Sequence, residues 1–132
     1  MKPQILIVDD DIIILRLLNF ILSPLYNIVS KSSGIDAFRW LEEGNHPDLI
    51  ISDLLMPYFS GTSFVRNLKV SGFYRDTPVI VLSGAERLGE IINEMPFKVE
   101  GYLQKPFNPA SLKSIIADII KNQPKNAIKY AG

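Results

Sequence analysis

The chain of 132 residues is long enough for one domain with its own hydrophobic core and too short for two. Hydrophobic residues make up 47% and charged residues 21%, which is the composition of an ordinary globular protein rather than a disordered one. The 14 basic residues balance the 14 acidic ones, so no net positive field favours direct binding of nucleic acid. Cysteine is absent, which excludes disulfides, thiolate metal sites and cysteine nucleophiles.

The apolar stretches at residues 5–8 and 12–22 are shorter than the roughly 18 residues that a membrane span requires. Met1 and Lys2 lead directly into a strand-like run, which is unlike a signal peptide. The sequence therefore predicts a cytoplasmic protein with no membrane partner.

Strand-like and helical segments alternate along the chain. The predicted strands are residues 5–8, 27–30, 49–51, 79–82 and 101–104, and most are continuously apolar, as expected for strands covered on both faces. The predicted helices are residues 11–22, 34–43 and 62–69, an irregular one at 87–95 that Pro96 ends, and a last one from Asn108 and Pro109. This alternation predicts the α/β class, with a doubly wound parallel sheet and helices on both faces. Residues 1–121 are predicted to form the domain, and 122–132 a tail or the start of a linker.

The first helix is more apolar than one buried face requires. Asp11 is predicted to cap it, and Ser23 with Pro24 to end it. The residues assigned to the core are Leu17, Leu18, Ile21 and Leu22, which leaves Ile12, Ile14 and Leu15 exposed. Exposed apolar residues of this kind indicate a docking surface.

Chemically reactive side chains follow four of the predicted strands. Asp9 and Asp10 follow the first strand, Asp53 the third, Ser83 the fourth and Lys105 the fifth. Ligands of doubly wound sheets bind beyond the carboxyl ends of the strands, so these groups are expected to share one pocket. Clustered carboxylates recruit a cation, and Mg²⁺ prefers oxygen ligands. An aspartate beside such a cation can act as a nucleophile toward a phosphoryl donor while a lysine neutralises charge.

Four segments in this order and spacing resemble the receiver domain of two-component response regulators, including the chemotaxis receivers. They read Ile-Leu-Ile-Val-Asp-Asp, Asp-Leu-Ile-Ile-Ser-Asp-Leu-Leu-Met-Pro, Pro-Val-Ile-Val-Leu-Ser-Gly and Gly-Tyr-Leu-Gln-Lys-Pro-Phe. The resemblance extends from about Gln4 to Lys121. It implies a flavodoxin-like three-layer fold of five strands and five helices, with the strand order 2-1-3-4-5.

The resemblance also implies a role for each residue at the strand ends. Asp53 would accept the phosphoryl group, and Ser83 and Lys105 would contact its oxygens. The implied ligands of Mg²⁺ are Asp9, Asp10, Asp53 and the backbone carbonyl of Leu55. Tyr102 would be the switch aromatic, which rotates inward when Ser83 moves toward the phosphoryl group, and the Lys105–Pro106 bond would be cis.

The partners implied by the resemblance are a histidine kinase or histidine phosphotransfer protein as the donor, and a target protein or missing output domain as the receiver of the signal. The output face would consist of the fourth helix, the fifth strand and the fifth helix. The resemblance also allows two phosphorylated copies of the protein to form a dimer. The Met95-Pro96-Phe97 stretch departs from the small residues usual in this family. Leu55 and Ala85 cannot hydrogen-bond a hydrolytic water, which predicts slow self-dephosphorylation.

Two other functions stay open from the sequence. Asp9 and Asp11 satisfy the Asp-x-Asp pattern of small aspartyl phosphatases, although 132 residues leave no room for a cap domain and Asp53 would have no role. A receiver-like interaction module that is never phosphorylated is the second alternative. The signalling receiver, which catalyses only its own phosphorylation and dephosphorylation, explains more of the residues. It would be a stand-alone protein or the amino-terminal part of a larger regulator.

Overall fold

The computed structural model describes residues 2–56 and 61–122, with the backbone alone at residues 61 and 62. Five parallel strands form one sheet in the order β2-β1-β3-β4-β5. The strands are β1 (Gln4–Val8), β2 (Asn27–Lys31), β3 (Leu49–Ser52), β4 (Val79–Ser83) and β5 (Gly101–Gln104). The predicted fold class and the strand order implied by the resemblance are both confirmed.

Five helices alternate with the strands and cover both faces of the sheet. They are α1 (Ile12–Leu22), α2 (Gly34–Glu42), α3 (Gly61–Val70), α4 (Leu88–Glu94) and α5 (Pro109–Lys121). Alternate side chains of a strand point to opposite faces, so Leu6 of β1 packs in one core cluster and Ile7 in the other. The first cluster lies under α2, α3 and α4, and the second under α1 and α5. The sheet is therefore the middle of three layers.

Two helices begin at the predicted capping residues. The Asp11 side chain accepts a hydrogen bond of 2.9 Å from the amide of Ile13, and the Asn108 side chain accepts one of 2.8 Å from the amide of Ala110. Each bond satisfies an amide that the first turn of a helix leaves without a partner. These caps fix where the chain turns from the carboxyl edge of the sheet into α1 and α5.

The fourth helix is short and irregular, as predicted. It has seven residues and no side-chain cap, and Arg87 before it has a left-handed backbone with φ of +56°. After the helix, Met95 and Phe97 pack against the first core cluster. The Met95-Pro96-Phe97 stretch thus anchors the connection from α4 to β5.

The inner face of α1 differs from the prediction at three positions, one of which is Ile14, which is half-buried against the second core cluster rather than exposed. Leu15 is only 5% exposed and lies in the core, whereas Leu17 is 42% exposed. The error arises because apolar residues occur on all sides of α1, so spacing alone does not identify the inner face. The exposed apolar residues of this helix are Ile12, Ile13, Leu17 and Phe20, and we call them the α1 surface.

Two predictions fall partly on residues that the structure does not describe. The predicted tail begins at Asn122, and its residues 123–132 lie outside the described part of the chain. The predicted break after Met56 falls on residues 57–60, which also lie outside it. Among the residues that are described, no helix has the length and apolar character needed to cross a bilayer.

Candidate phosphoacceptor site

Two neighbouring strands place two aspartates side by side at the carboxyl edge of the sheet. Val8 of β1 pairs with Ser52 of β3, and each strand is followed directly by an aspartate. The amide of Asp53 donates to the carbonyl oxygen of Val8 over 3.0 Å. Both carboxyl side chains are nearly inaccessible to solvent, at 3% exposed for Asp9 and 6% for Asp53.

Lys105 joins these two carboxylates. Its backbone amide donates to the carbonyl oxygen of Ser83 over 2.8 Å, which holds the chain after β5 against the end of β4. Its Nζ lies 2.7 Å from Asp9 Oδ2 and 3.2 Å from Asp53 Oδ2. The Lys105–Pro106 peptide bond is cis, as the resemblance implies.

The electrostatics of the site follow from burial and from these ion pairs. Burial raises the pKa of Asp9 above its usual value, and the hydrogen bonds from Lys105 and from the Asp11 amide only partly oppose this rise. Burial works to lower the pKa of Lys105, but the hydrogen bond to Asp9 and the charges of Asp9 and Asp53 outweigh it, so the pKa is raised. Lys105 therefore remains a cation beside the two acids.

Asp9, Asp10 and Asp53 form a cluster of carboxylates that could hold a metal ion. One carboxylate oxygen from each residue lies within 4.8 Å of the others. Mg²⁺ binds oxygen ligands at about 2.1 Å, so oxygens on opposite sides of the ion are about 4.2 Å apart. Asp10 is exposed and free to make the small adjustment, whereas the other two are buried. The donor set and its spacing therefore fit Mg²⁺.

Ser83 and Tyr102 lie on the neighbouring strands β4 and β5. Ser83 is fully buried, and its Oγ accepts a hydrogen bond of 3.2 Å from the amide of Ala85. Tyr102 pairs in register with Val81, and its side chain is 43% exposed. The tyrosine side chain is therefore exposed to solvent in this structure, and we call this exposed arrangement the outward position.

Two backbone contacts were not predicted from the sequence. The amide of Asp11 donates to Asp9 Oδ1 over 2.9 Å, and the amide of Leu55 donates to Asp53 Oδ1 over 3.1 Å. In both cases the donor lies two residues after the aspartate that accepts. This is the spacing of an Asx turn, so the sequence contains a signal that predicts the two contacts. These bonds orient the carboxylates and leave the second oxygen of each to Lys105.

The geometry agrees with what comparison with known proteins finds. The model of the family described as response regulator receiver domain matches residues 5–117. The chain belongs to the response regulator receiver domain family. It is a module of two-component signal transduction, in which signalling proceeds through a phosphorylated aspartate.

Several relatives of this receiver domain are similar over most of its length. The probable transcriptional regulator ycf27 of Porphyridium aerugineum is 29% identical over 125 residues, which cover 94% of this chain and 50% of the relative. The receiver domain of a signal transduction histidine kinase from Syntrophus aciditrophicus has a TM-score of 0.84 and 28% identity, covering 99% of this chain and 100% of that one.

A third relative is the receiver domain of a sensor histidine kinase from Pseudomonas aeruginosa. Its crystal structure is described with a magnesium ion coordinated in the active site cleft. The TM-score is 0.81 with 28% identity, and the match covers 92% of this receiver domain and 99% of the relative. The curated relatives include much longer chains, and this receiver domain spans about half the length of the first few that it matches.

Proposed function

We propose that this receiver domain is a phosphorylation-controlled switch that accepts a phosphoryl group from a histidine of a kinase or phosphotransfer protein onto Asp53. The observation that carries the proposal is the position of the Asp53 carboxylate, buried beside Asp9 and contacted by the Lys105 ammonium at 3.2 Å. A carboxylate oxygen of Asp53 forms the bond to phosphorus. The P–N bond of the donor breaks, and its electron pair returns to the imidazole.

The neighbouring residues orient and stabilise this transfer. The Leu55 amide holds Asp53 Oδ1, so the carboxylate has a fixed orientation before the donor arrives. Lys105 is positioned to pair with a phosphoryl oxygen, and the Ser83 hydroxyl, whose oxygen accepts from the Ala85 amide, still has its proton to donate to another.

We infer that Asp9, Asp10, Asp53 and the backbone carbonyl of Leu55 hold Mg²⁺. The carboxylate spacing and the magnesium-bound relative from Pseudomonas aeruginosa support this. When bound, the ion supplies positive charge that neutralises the phosphoryl oxygens as they approach the acids.

We infer that the output travels through Ser83 and Tyr102 to the face formed by α4, β5 and α5. Tyr102 lies on β5 and is partly exposed there, so its inward rotation would change that face. The signal then passes to a separate target protein or to an output domain of a larger regulator. The same face could also form a dimer when Asp53 is phosphorylated. We place the receiver domain at residues 1–121, with 122–132 as a tail or linker, and assign the protein to the cytoplasm.

The aspartyl phosphatase alternative is weakened by the position of Asp11. That residue is the exposed N-cap of α1, and its carboxylate accepts from the Ile13 amide rather than joining the acidic cluster. The activity proposed is therefore limited to phosphorylation of the receiver itself and its slow reversal. The intact acid and lysine set likewise disfavours a module that is never phosphorylated.

Phosphoramidate tests the proposed transfer, because its P–N bond reproduces the bond of phosphohistidine. With Mg²⁺, intact mass spectrometry should detect one added phosphoryl group per chain. A chelator or Asp53→Asn should abolish the addition. Labelling of Asp53→Asn at the wild-type rate would refute the proposal.

We predict that the phosphorylated protein loses its phosphate slowly and that Leu55→Asn accelerates the loss about fivefold, the effect of one hydrogen bond of about 1 kcal/mol. The Leu55 side chain is 60% exposed beside Asp53 but cannot orient a water. The rate is measured by release of inorganic phosphate after the donor is removed. Loss within seconds that Leu55→Asn fails to accelerate would contradict this prediction.

We propose that the phosphohistidine donor docks on the α1 surface, which is adjacent to Asp10 in the chain. Ile13, at 69% exposed, is a better target for substitution than the buried Leu15. Ile13→Glu should slow transfer from a phosphorylated histidine phosphotransfer protein at least tenfold, on the order of 1.4 kcal/mol, because it places a charge in an apolar contact. Phosphorylation by acetyl phosphate should not change.

A matched control for docking is Val70→Glu. Val70 is 75% exposed at the end of α3, at the opposite edge of the sheet from the acids. It should leave both reactions at the wild-type rate. Equal transfer to wild type and Ile13→Glu would exclude the α1 surface as the docking site.

A further inference from the structure

Gly89 lies directly against the side chain of Tyr102. A β-carbon built on Gly89 would be 3.1 Å from the Tyr102 hydroxyl oxygen and 3.7 Å from Cζ. The first of these distances is shorter than an ordinary van der Waals contact. Glycine is unfavourable within a helix, yet it occupies the second position of α4 at the point where the tyrosine approaches. The bare backbone at this position therefore gives Tyr102 a place to lie, which we call the Gly89 seat.

The segment before the Gly89 seat connects it to the candidate site. Ser83, at the end of β4, is bonded through its Oγ to the amide of Ala85. Arg87 follows in a left-handed backbone conformation that residues other than glycine rarely adopt. The bond between the Ala85 amide and Ser83 Oγ therefore links the position of Ser83 to the segment that carries Gly89.

We propose that Gly89 is a positioning residue that keeps Tyr102 outward in the unphosphorylated protein and thereby opposes the switch. The inference rests on the proposed function, and it names a residue that stabilises the unphosphorylated state of the switch. The contact with Gly89 exists in the outward position of the ring, so a side chain at 89 raises the energy of that position. A change that acts on one of two states shifts the equilibrium toward the other.

The seat is tested by nuclear magnetic resonance on the full chain without a phosphoryl donor. We expect a nuclear Overhauser effect between the Tyr102 ring and the α-protons of Gly89. It should weaken in Gly89→Ala, where the hydroxyl has to give way slightly, and vanish in Gly89→Leu, with a changed χ1 coupling for Tyr102. Gly72→Ala is the control, because a β-carbon at Gly72 meets nothing within 4 Å. An unchanged Tyr102 χ1 coupling in Gly89→Leu would overturn the proposal.

The effect on the switch is measured with fluoroberyllate, which mimics a phosphoryl group on a carboxylate. Gly89→Leu should bind it at least about threefold more tightly than wild type, because the outward state no longer competes as strongly. In a Tyr102→Ala background the same substitution should have no effect. Equal affinities in the first comparison, or a persisting difference in the second, would overturn the role of the seat.

The two proposals fail in different ways. If no variant binds fluoroberyllate, the proposed phosphorylation of Asp53 is wrong. The ring contact and the χ1 coupling of Tyr102 still decide whether Gly89 positions the tyrosine.

Discussion

Lys105→Met should destabilise the protein by about 2–4 kcal/mol in the absence of divalent metal, slightly less than the loss of a partner from a fully buried ion pair. The substitution removes the cation 2.7 Å from Asp9 and 3.2 Å from Asp53 while keeping much of the side-chain volume. Two buried carboxylates are then left adjacent with no positive charge between them. Solvent screening reduces the expected loss of stability only slightly below that of a fully buried pair, because the lysine side chain is only 19% exposed.

Urea unfolding with and without Mg²⁺ measures this effect. A cation on the same carboxylates replaces part of the missing charge, so Mg²⁺ should stabilise Lys105→Met more than wild type. Lys113→Met on the exposed side of α5 is the matched control and should change the free energy of unfolding little. If both variants unfold like wild type, the ion pairs of Lys105 do not stabilise the fold.

Asp10→Asn should weaken Mg²⁺ binding at least about tenfold, since even residues that only orient a metal ligand contribute that much. The structure places the carboxylate of Asp10 within 4.8 Å of those of Asp9 and Asp53. An amide oxygen carries no formal charge and is a poorer ligand for a hard cation. Isothermal titration calorimetry gives the affinity directly.

Asp11→Asn is a matched control for the Asp10 experiment. It removes one negative charge from the same acidic run, and asparagine caps a helix as well as aspartate does. Asp11 lies outside the carboxylate cluster, so Mg²⁺ affinity should change only slightly. Equal loss in the two variants would mean that net charge, rather than ligation by Asp10, determines the affinity. Asp11→Asn also tests the phosphatase alternative, which requires that carboxylate.

Much of the fold could be predicted because the buried strands and the caps have local signals. Residues 5–8 and 79–82 are continuously apolar, which is typical of strands covered on both faces. Asp11 and Asn108 indicated where two helices begin, and the structure has both caps. The order in which the strands pair came from the family resemblance rather than from any such signal.

What could not be predicted depends on contacts between elements distant in the sequence. The sequence predicts the wrong inner face of α1 at Ile14, Leu15 and Leu17, because a helix that is apolar on every side has no distinct hydrophobic stripe. The close approach of Gly89 to Tyr102 depends on how α4 lies against β5, which no local pattern determines.

The candidate site was easier to locate than to describe in detail. The strand ends predict one shared pocket for Asp9, Asp10, Asp53, Ser83 and Lys105, and the structure brings the three acids and Lys105 together. That the Ser83 side chain joins them stays a prediction. The two carboxylate contacts of Lys105 and its distances required coordinates, because a flexible side chain can reach several partners. The contact between the Leu55 amide and Asp53 is local, and the two-residue spacing of an Asx turn predicts it.

The central claim is that Asp53 carries the phosphoryl group. The most direct test is incubation with acetyl phosphate and Mg²⁺, followed by intact mass and peptide mapping of wild type and Asp53→Asn. We predict one added phosphoryl group on the wild-type peptide that contains Asp53, and none on the variant. A phosphoryl group on any other residue of the wild type, or an equally labelled Asp53→Asn, would contradict the account.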